Sequence, residues 1–395
     1  MLLAALLASF TSCVQKQKHD VADDFRVAPL EGGKSLVITG YTQTKQSVRI
    51  PSRLHGKSVT AIGEAVFARK EIIKVTIPGS VTVIGNRAFA ENLLTGVTIP
   101  GSVTVIGERA FYENQLTNVT IPKNVAMIGT EAFLENKLTG VTIANGVVTI
   151  GERAFHKNQL ASVTLPKSVV TIGTEAFWEN KLTGVVIPNS VTTIGNWAFQ
   201  DNQLTGVTIG DSVTTIGAGA FYENQLTSVA LPNSVTSIGA EAFAKNPLTN
   251  LSIAQDNPTY TVKDSFLLSK DGKQLFLYFG GGENVTIPDG VTVIGAGAFS
   301  GKQLTGVTIS DSVTVIGDRA FRGNQLTDIT IPNNVTAIGD RAFDENQLTG
   351  ITIGANVDLG RSAFDGNFEY QYNGSYYYGR AAGTYARRGN SWSRR

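Results

Sequence analysis

Leu94-Thr-Gly-Val97-Thr-Ile99-Pro-Gly-Ser-Val103-Thr-Val-Ile106-Gly107-Glu-Arg-Ala110-Phe111, continuing as Tyr112-Glu-Asn114-Gln, is one unit of a pattern that fills most of the chain. Its phenylalanine recurs at Phe67, Phe89, Phe111, Phe133, Phe155, Phe177, Phe199, Phe221 and Phe243, a step of 22 residues every time. After a gap it returns at Phe299, Phe321 and Phe343, with Phe364 one residue early. Self-similarity at a fixed period of this size marks a stacked repeat array, which overrides the two or three globular domains that the length alone suggests.

Within the unit, Val97 and Ile99 alternate with Thr98, so the apolar pair points inward and the threonine outward on a strand ended by Pro100. Val103, Thr104 and Ile106 suggest a second short strand. Gly107 then permits a tight turn into Ala110 and Phe111, with room for one helical or 3₁₀ turn. A single coil cannot bury Leu94, Val97, Ile99, Val103, Ile106, Ala110 and Phe111, whereas stacked coils can, so stability is a sum over neighbours. The expectation is a mostly β, right-handed solenoid of about 13 coils, roughly 60 Å long at the strand spacing of ~4.8 Å. Asn92, Asn114, Asn136, Asn158, Asn180, Asn202, Asn224, Asn246, Asn324 and Asn346 stand three residues after a phenylalanine. A stacked asparagine ladder satisfies turn backbone groups, so its reading is structural.

The pattern Leu-x-x-Val-x-Ile-Pro-x-x-Val-x-x-Ile-Gly-x-x-Ala-Phe-x-x-Asn resembles the BspA-like, or Treponema-type, leucine-rich repeats of bacterial surface proteins, over roughly residues 60 to 367. Val37-Ile-Thr-Gly-Tyr41, Ile50-Pro51 and Gly56-Lys-Ser-Val59 are similar to the lead-in of such proteins, and Ala382-Gly383-Thr384-Tyr385 with Trp392 to their tail. The resemblance implies a leucine-rich-repeat solenoid, horseshoe-like or gently curved. It also implies surface display and adhesion to host matrix proteins or to other cells. It assigns no ligand-binding residue.

The chain divides accordingly. Residues 1–20 form a signal and polar tether, 21–59 an N-terminal cap, 60–253 and 285–367 the coils, and 368–395 an aromatic and basic C-terminal cap or tail. Residues 254–284 interrupt the array while keeping it in phase. There Ser265-Phe-Leu-Leu268 and Gln274-Leu-Phe-Leu-Tyr278 flank Asp271-Gly272, a two-residue hairpin signal. The hairpin is expected to pack on the coils, the alternative being an exposed apolar flap. Cys13, the only cysteine, follows the apolar run Leu2 to Phe10 and the small residues Thr11 and Ser12. That arrangement resembles the end of a bacterial lipoprotein signal, with Cys13 as the lipidated residue, although Phe10 stands where leucine is usual. An ordinary secretory leader with an incidental cysteine is the other reading. Elsewhere nothing approaches the ~20 apolar residues of a membrane span.

Composition narrows the function. A net charge of +1 on 395 residues leaves no overall footprint for nucleic acid. One cysteine and three scattered histidines, His19, His55 and His156, offer no zinc-type cluster. There is no Gly-x-Ser-x-Gly elbow, and Gly280-Gly281-Gly282 lacks the lysine of a phosphate loop. Most carboxylates fall in columns one repeat apart, as on a solvated face. Neither catalysis, a metal nor a cofactor is expected.

A site is expected where equivalent positions stop being identical. One residue after the phenylalanine the column reads Ala90, Tyr112, Leu134, His156, Trp178, Gln200, Tyr222 and Ala244, and Trp197 adds a ring where neighbouring coils carry Arg or Glu. Tyr112, Leu134, His156, Trp178, Trp197 and Tyr222 are therefore the candidate contacts for a protein ligand, since aromatic side chains are common interface anchors. The alternative is that these rings lie over the adjacent turn and shield the core. The first-strand face, with Thr98, Thr120, Thr142, Thr164 and Thr208, is small, flat and neutral. A threonine array on a flat solenoid is also the geometry of ice binding, though Val186, Ala230 and Ser252 interrupt it, and a spacer that merely holds its ends apart needs no patch at all.

Overall fold

The computed structural model describes residues 20–366, 368–373, 380–389 and 391–395. Cys13 and the tyrosines Tyr376, Tyr377 and Tyr378 lie outside the described residues. The chain is a mostly β solenoid of about 15 turns. Thirteen phenylalanine anchors are visible in the sequence; Tyr41 and Tyr278 anchor the two further turns. The Tyr41 ring packs 5.2 Å from Phe67, and that of Tyr278 lies 5.3 Å from Phe299.

The anchors make one column of rings. From Phe67 to Phe243 neighbouring centroids are 5.1 to 5.5 Å apart and nearly parallel. Beside them the leucine, valine and isoleucine columns fill the interior, and Val103, Ala110, Phe111, Leu116, Val125 and Ile128 expose nothing. The asparagine ladder closes one corner. Asn114 donates through Nδ2 to the carbonyls of Phe89 (2.9 Å), Phe111 (3.2 Å) and Tyr112 (3.2 Å), and its Oδ1 accepts from the Leu94 amide at 3.1 Å. Each asparagine thus ties its own coil to the one before it, satisfying backbone groups that water cannot reach.

The two strands of a coil contribute unequally. The second strand, only two residues long in most coils, builds a continuous twelve-stranded sheet running from Phe25–Pro29 to Ser237–Ile238, and a seven-stranded one from Tyr260–Lys263 to Asp358–Leu359. The first strand yields mostly pairs: Asn118–Ile121 with Gly140–Ile143, Gly184–Val186 with Gly206–Thr208, Ser228–Leu231 with Asn250–Ile253. The glycine column explains the difference. A Cβ on Gly107 would lie 2.7 Å from the backbone of Gly85 and Asn86, and on Gly173 2.7 Å from that of Gly151 and Glu152. Coils approach closely in every repeat at this corner, beside the second strand. The glycine is there for contact between coils, since only the following corner residues adopt positive φ. That corner is made of turns in which Arg109 (φ 54°) and Glu113 (φ 47°) are left-handed, where the sequence suggested a helical or 3₁₀ turn.

The interruption is part of the core. Phe266–Ser269 pairs antiparallel with Gln274–Tyr278, which then joins Val293–Ile294 in parallel. One face of the hairpin packs Leu267, Leu277 and Phe279 with the N-terminal coils, and the other packs Phe266, Leu268, Leu275 and Tyr278 with the C-terminal ones. All seven are buried, so there is no exposed flap. Asn257, fully buried, fixes the entry: Nδ2 donates to the carbonyls of Asn233 and Val235, both at 2.9 Å, while Oδ1 accepts from Thr259 (2.9 Å) and Tyr260 (2.8 Å). At the far end Phe368, Tyr372, Tyr385 and Trp392 are buried beyond Phe364, closing the last coil. A solenoid needs such an end, because its terminal coil otherwise exposes half a core.

Candidate functional site

Two surfaces carry the variation. The first is the corner that follows the glycine column, where two left-handed residues per coil project long side chains outward. In one column Arg109 pairs with Glu131, and Arg153 reaches Glu175 at 2.5 and 3.0 Å and Glu131 at 3.5 Å. In the other Arg69 holds Glu91 at 2.6 Å, Lys157 holds Glu135 at 3.0 Å and Lys245 holds Glu223 at 2.7 Å. The arginine lowers the Glu91 carboxyl below the ordinary carboxylate range through its hydrogen bond. Asp201 is pushed up, chiefly by burial and then by Glu223 and Glu179 nearby.

The six candidates from the sequence lie along this corner without forming a uniformly exposed ridge. Leu134 and His156 are buried, at 8 % and 6 % exposure. Both sit directly after a core phenylalanine, where the backbone turns back under the neighbouring charged column. The His156 imidazole stacks on Trp178 with centroids 4.4 Å apart. Its nitrogens and the Trp178 Nε1 are buried without a hydrogen-bond partner. Glu175 stands 3.8 Å from Nδ1 and Glu179 3.7 Å from Nε2. Burial holds the His156 pKa below its ordinary value against these two carboxylates. Tyr112 donates to Glu113 at 2.6 Å, which together with burial raises its pKa. The half-buried Tyr222 carries the Lys245 ammonium 5.1 Å over its ring. Trp197 is 41 % exposed, and its indole covers Gly219 of the next coil, where a Cβ would come within 2.3 Å of the ring.

The second surface is the first-strand face. Three open grooves lie along it, of about 1070, 610 and 430 Å³. The largest crosses three coils and presents the exposed Thr164, Lys167, Val186 and Thr208, over Val163, Val185 and Ile187, whose side chains are buried in the core. Val186 is 64 % exposed, the large apolar side chain in a column otherwise mostly threonine. Here the first-strand ladder is open: Thr164 bridges to Thr142, and Gly184–Val186 pairs only with the following coil. The sequence carried the signal in Val186, but a single valine among threonines reads as an interruption until the groove around it is seen. The corner holds a smaller, polar cleft of about 380 Å³ between Arg69, Arg87, Glu91, Arg109 and Glu113.

Among the described residues no group of three or more His, Cys, Asp or Glu converges as a metal site would require, and no helix is long and apolar enough to cross a membrane. What these surfaces offer chemically is contact.

No curated protein sequence matches the chain. Among solved structures it is similar to a leucine rich cell surface protein from Faecalibacterium prausnitzii, at 25% identity and TM-score 0.51, over 88% of this chain and 87% of that one. A leucine-rich repeat protein from Bacteroides ovatus is similar at 22% identity and TM-score 0.49, over 88% and 92% of the two chains. The family model of the BspA type leucine rich repeat region matches residues 60–183, 148–271 and 272–370. The chain therefore belongs to the BspA-type leucine-rich repeat family.

Proposed function

We propose that the protein is a cell-surface binding module that holds a protein ligand along its first-strand face. The observation that carries this reading is the groove of about 1070 Å³ over three coils, in which the exposed Val186 stands between Thr164 and Thr208. Exposed apolar surface rimmed by polar residues is a mark of protein contact. Its neighbour from Faecalibacterium is described as a cell surface protein. Family membership likewise favours surface display and protein interaction. In the finer reading, the ligand is a host extracellular matrix or cell-surface protein and attachment is adhesive.

A second reading keeps the corner as the contact surface, and Trp197 with 41 % exposure favours it. Anchoring through a lipidated Cys13 belongs to the same proposal; metabolic labelling with palmitate should mark the wild type and not Cys13→Ala. The function itself is tested by presenting purified protein to immobilised matrix proteins and to intact host cells. Saturable retention supports adhesion. Absence of retention on either, with self-association instead, would leave the solenoid as a spacer.

A further inference from the structure

The last two strands, Gly383–Arg388 and Ser391–Arg394, form an antiparallel hairpin added to Gly350–Ile353 of the final coil. Residues 368–395 hold five arginines against one carboxylate, Glu369, while the rest of the chain carries a slight acidic excess. Two of the arginines make contacts within the fold. Arg387 donates from Nε to the Gly389 carbonyl at 3.0 Å. Arg380 pairs with Asp358 at 2.8 Å, but Arg387, Arg388, Arg394 and Arg395 make no ion pair among the described residues. Arg388, Arg394 and Arg395 are exposed and Arg387 is half-buried. The hairpin is held by Tyr385 and Trp392, each 2 % exposed, and by the Tyr385 hydroxyl donating to Ala381 at 2.7 Å.

Cross-strand register spreads the guanidinium groups. Arg394 lies opposite Tyr385 and Arg387 opposite Trp392. At ~3.4 Å per residue, Arg388 and Arg394 are separated by roughly 10 Å along the strand direction, with Arg395 beyond. The strand Ser391–Arg394 is the outer edge of its sheet; the exposed Ser391 and Ser393 share one face with Arg388, while Arg387 and Arg394 lie on the other. We propose that this hairpin edge is a docking site for a linear anionic polysaccharide. Guanidinium forks match sulfate and carboxylate groups bidentately, and serine hydroxyls with free strand amides match sugar hydroxyls. The observations favour a chain-like ligand over a lipid surface for two reasons. The arginines lie on both faces of the hairpin, and its aromatic side chains are buried, leaving nothing apolar to insert. Asp311 and Asp328 share a groove with Arg395 and offset part of its charge, so the attraction falls mainly on Arg387, Arg388 and Arg394.

The simpler role for these arginines is to stop the bare edge from pairing with another copy, since like charges on an edge oppose such pairing. The test separates the two. The full chain is applied to immobilised heparin as the probe, and in parallel to anionic phosphatidylglycerol vesicles and duplex DNA, with sedimentation to follow self-association. The expected result is retention on heparin at low salt, lost as salt is raised. Joint replacement of Arg387, Arg388, Arg394 and Arg395 by Ser should weaken it at least tenfold, while replacement of the four by Lys, which keeps the charge and loses the fork, should weaken it less, with the melting temperature close to wild type in both. Unchanged heparin retention in the serine variant overturns the proposal, whether or not that variant self-associates. Tighter binding of vesicles or DNA than of heparin also overturns it, as does no heparin retention by the wild type.

Discussion

The imidazole of His156 and the indole of Trp178, 22 residues apart and one coil apart, stack at 4.4 Å with their ring nitrogens buried and unpartnered. The stack is sealed by the charged column, with Glu175, Glu179 and Lys157 around it. Such a pair is worth about 0.5–1.5 kcal/mol beyond its burial. Trp178→Ala should therefore cost about 1–2 kcal/mol by denaturant melting, where an outward-facing ring would cost nothing measurable.

The same pair makes stability depend on pH. Burial holds the folded-state pKa of His156 below 6.5, its ordinary value, so the unfolded chain binds the proton more readily. Stability is then complete above that value and falls as pH is lowered through and below it, by up to about 1.4 kcal/mol per pH unit for one proton. His156→Phe should flatten the melting profile between neutral and mildly acidic pH. An unchanged slope would mean that other groups set the acid sensitivity.

Phe177 exposes nothing and stacks between Phe155 at 5.4 Å and Phe199 at 5.3 Å. Phe177→Ala should cost about 3–5 kcal/mol through lost burial and a cavity that the flanking rings cannot fill. Melting of the variant against wild type checks this, and a near-neutral effect would contradict a continuous ring column.

Gly173→Ala adds a single methyl group where its Cβ would stand 2.7 Å from the backbone of the preceding coil. Backbone atoms cannot swing aside as a side-chain tip can, so the coils must separate, at a cost of about 1–3 kcal/mol. Gly206→Ala, with nothing within 4 Å, is the control and should leave the melting temperature within experimental scatter.

The anchors were legible because a ring, a glycine and an asparagine returning every 22 residues can only occupy equivalent places in a stack. The hairpin at Asp271-Gly272 was legible from local turn chemistry and its packing on the coils from its apolar content, but not that both its faces are buried. Exposure at the corner was not. Whether the residue after the phenylalanine faces water depends on the left-handed backbone at Arg153 (φ 52°) and Lys157 (φ 52°), which periodicity does not report. The relative extent of the two sheets was hidden too, since it follows from how closely the glycine column lets coils approach. The groove arises only where three coils and an open ladder meet, so no single repeat contains it.

The central claim, that ligand is held on the first-strand face, is tested most directly by comparing two variants for retention on whichever matrix or cell-surface protein the wild type binds. Thr164→Lys with Val186→Lys puts charge into the groove, at exposed positions whose change leaves the core alone. Trp197→Ala with Tyr222→Ala removes two accessible rings from the corner. The account predicts a loss of at least tenfold in affinity for the lysine pair, about 1.4 kcal/mol, with the alanine pair close to wild type. Loss of binding in the alanine pair with full binding in the lysine pair would contradict it and move the site to the corner.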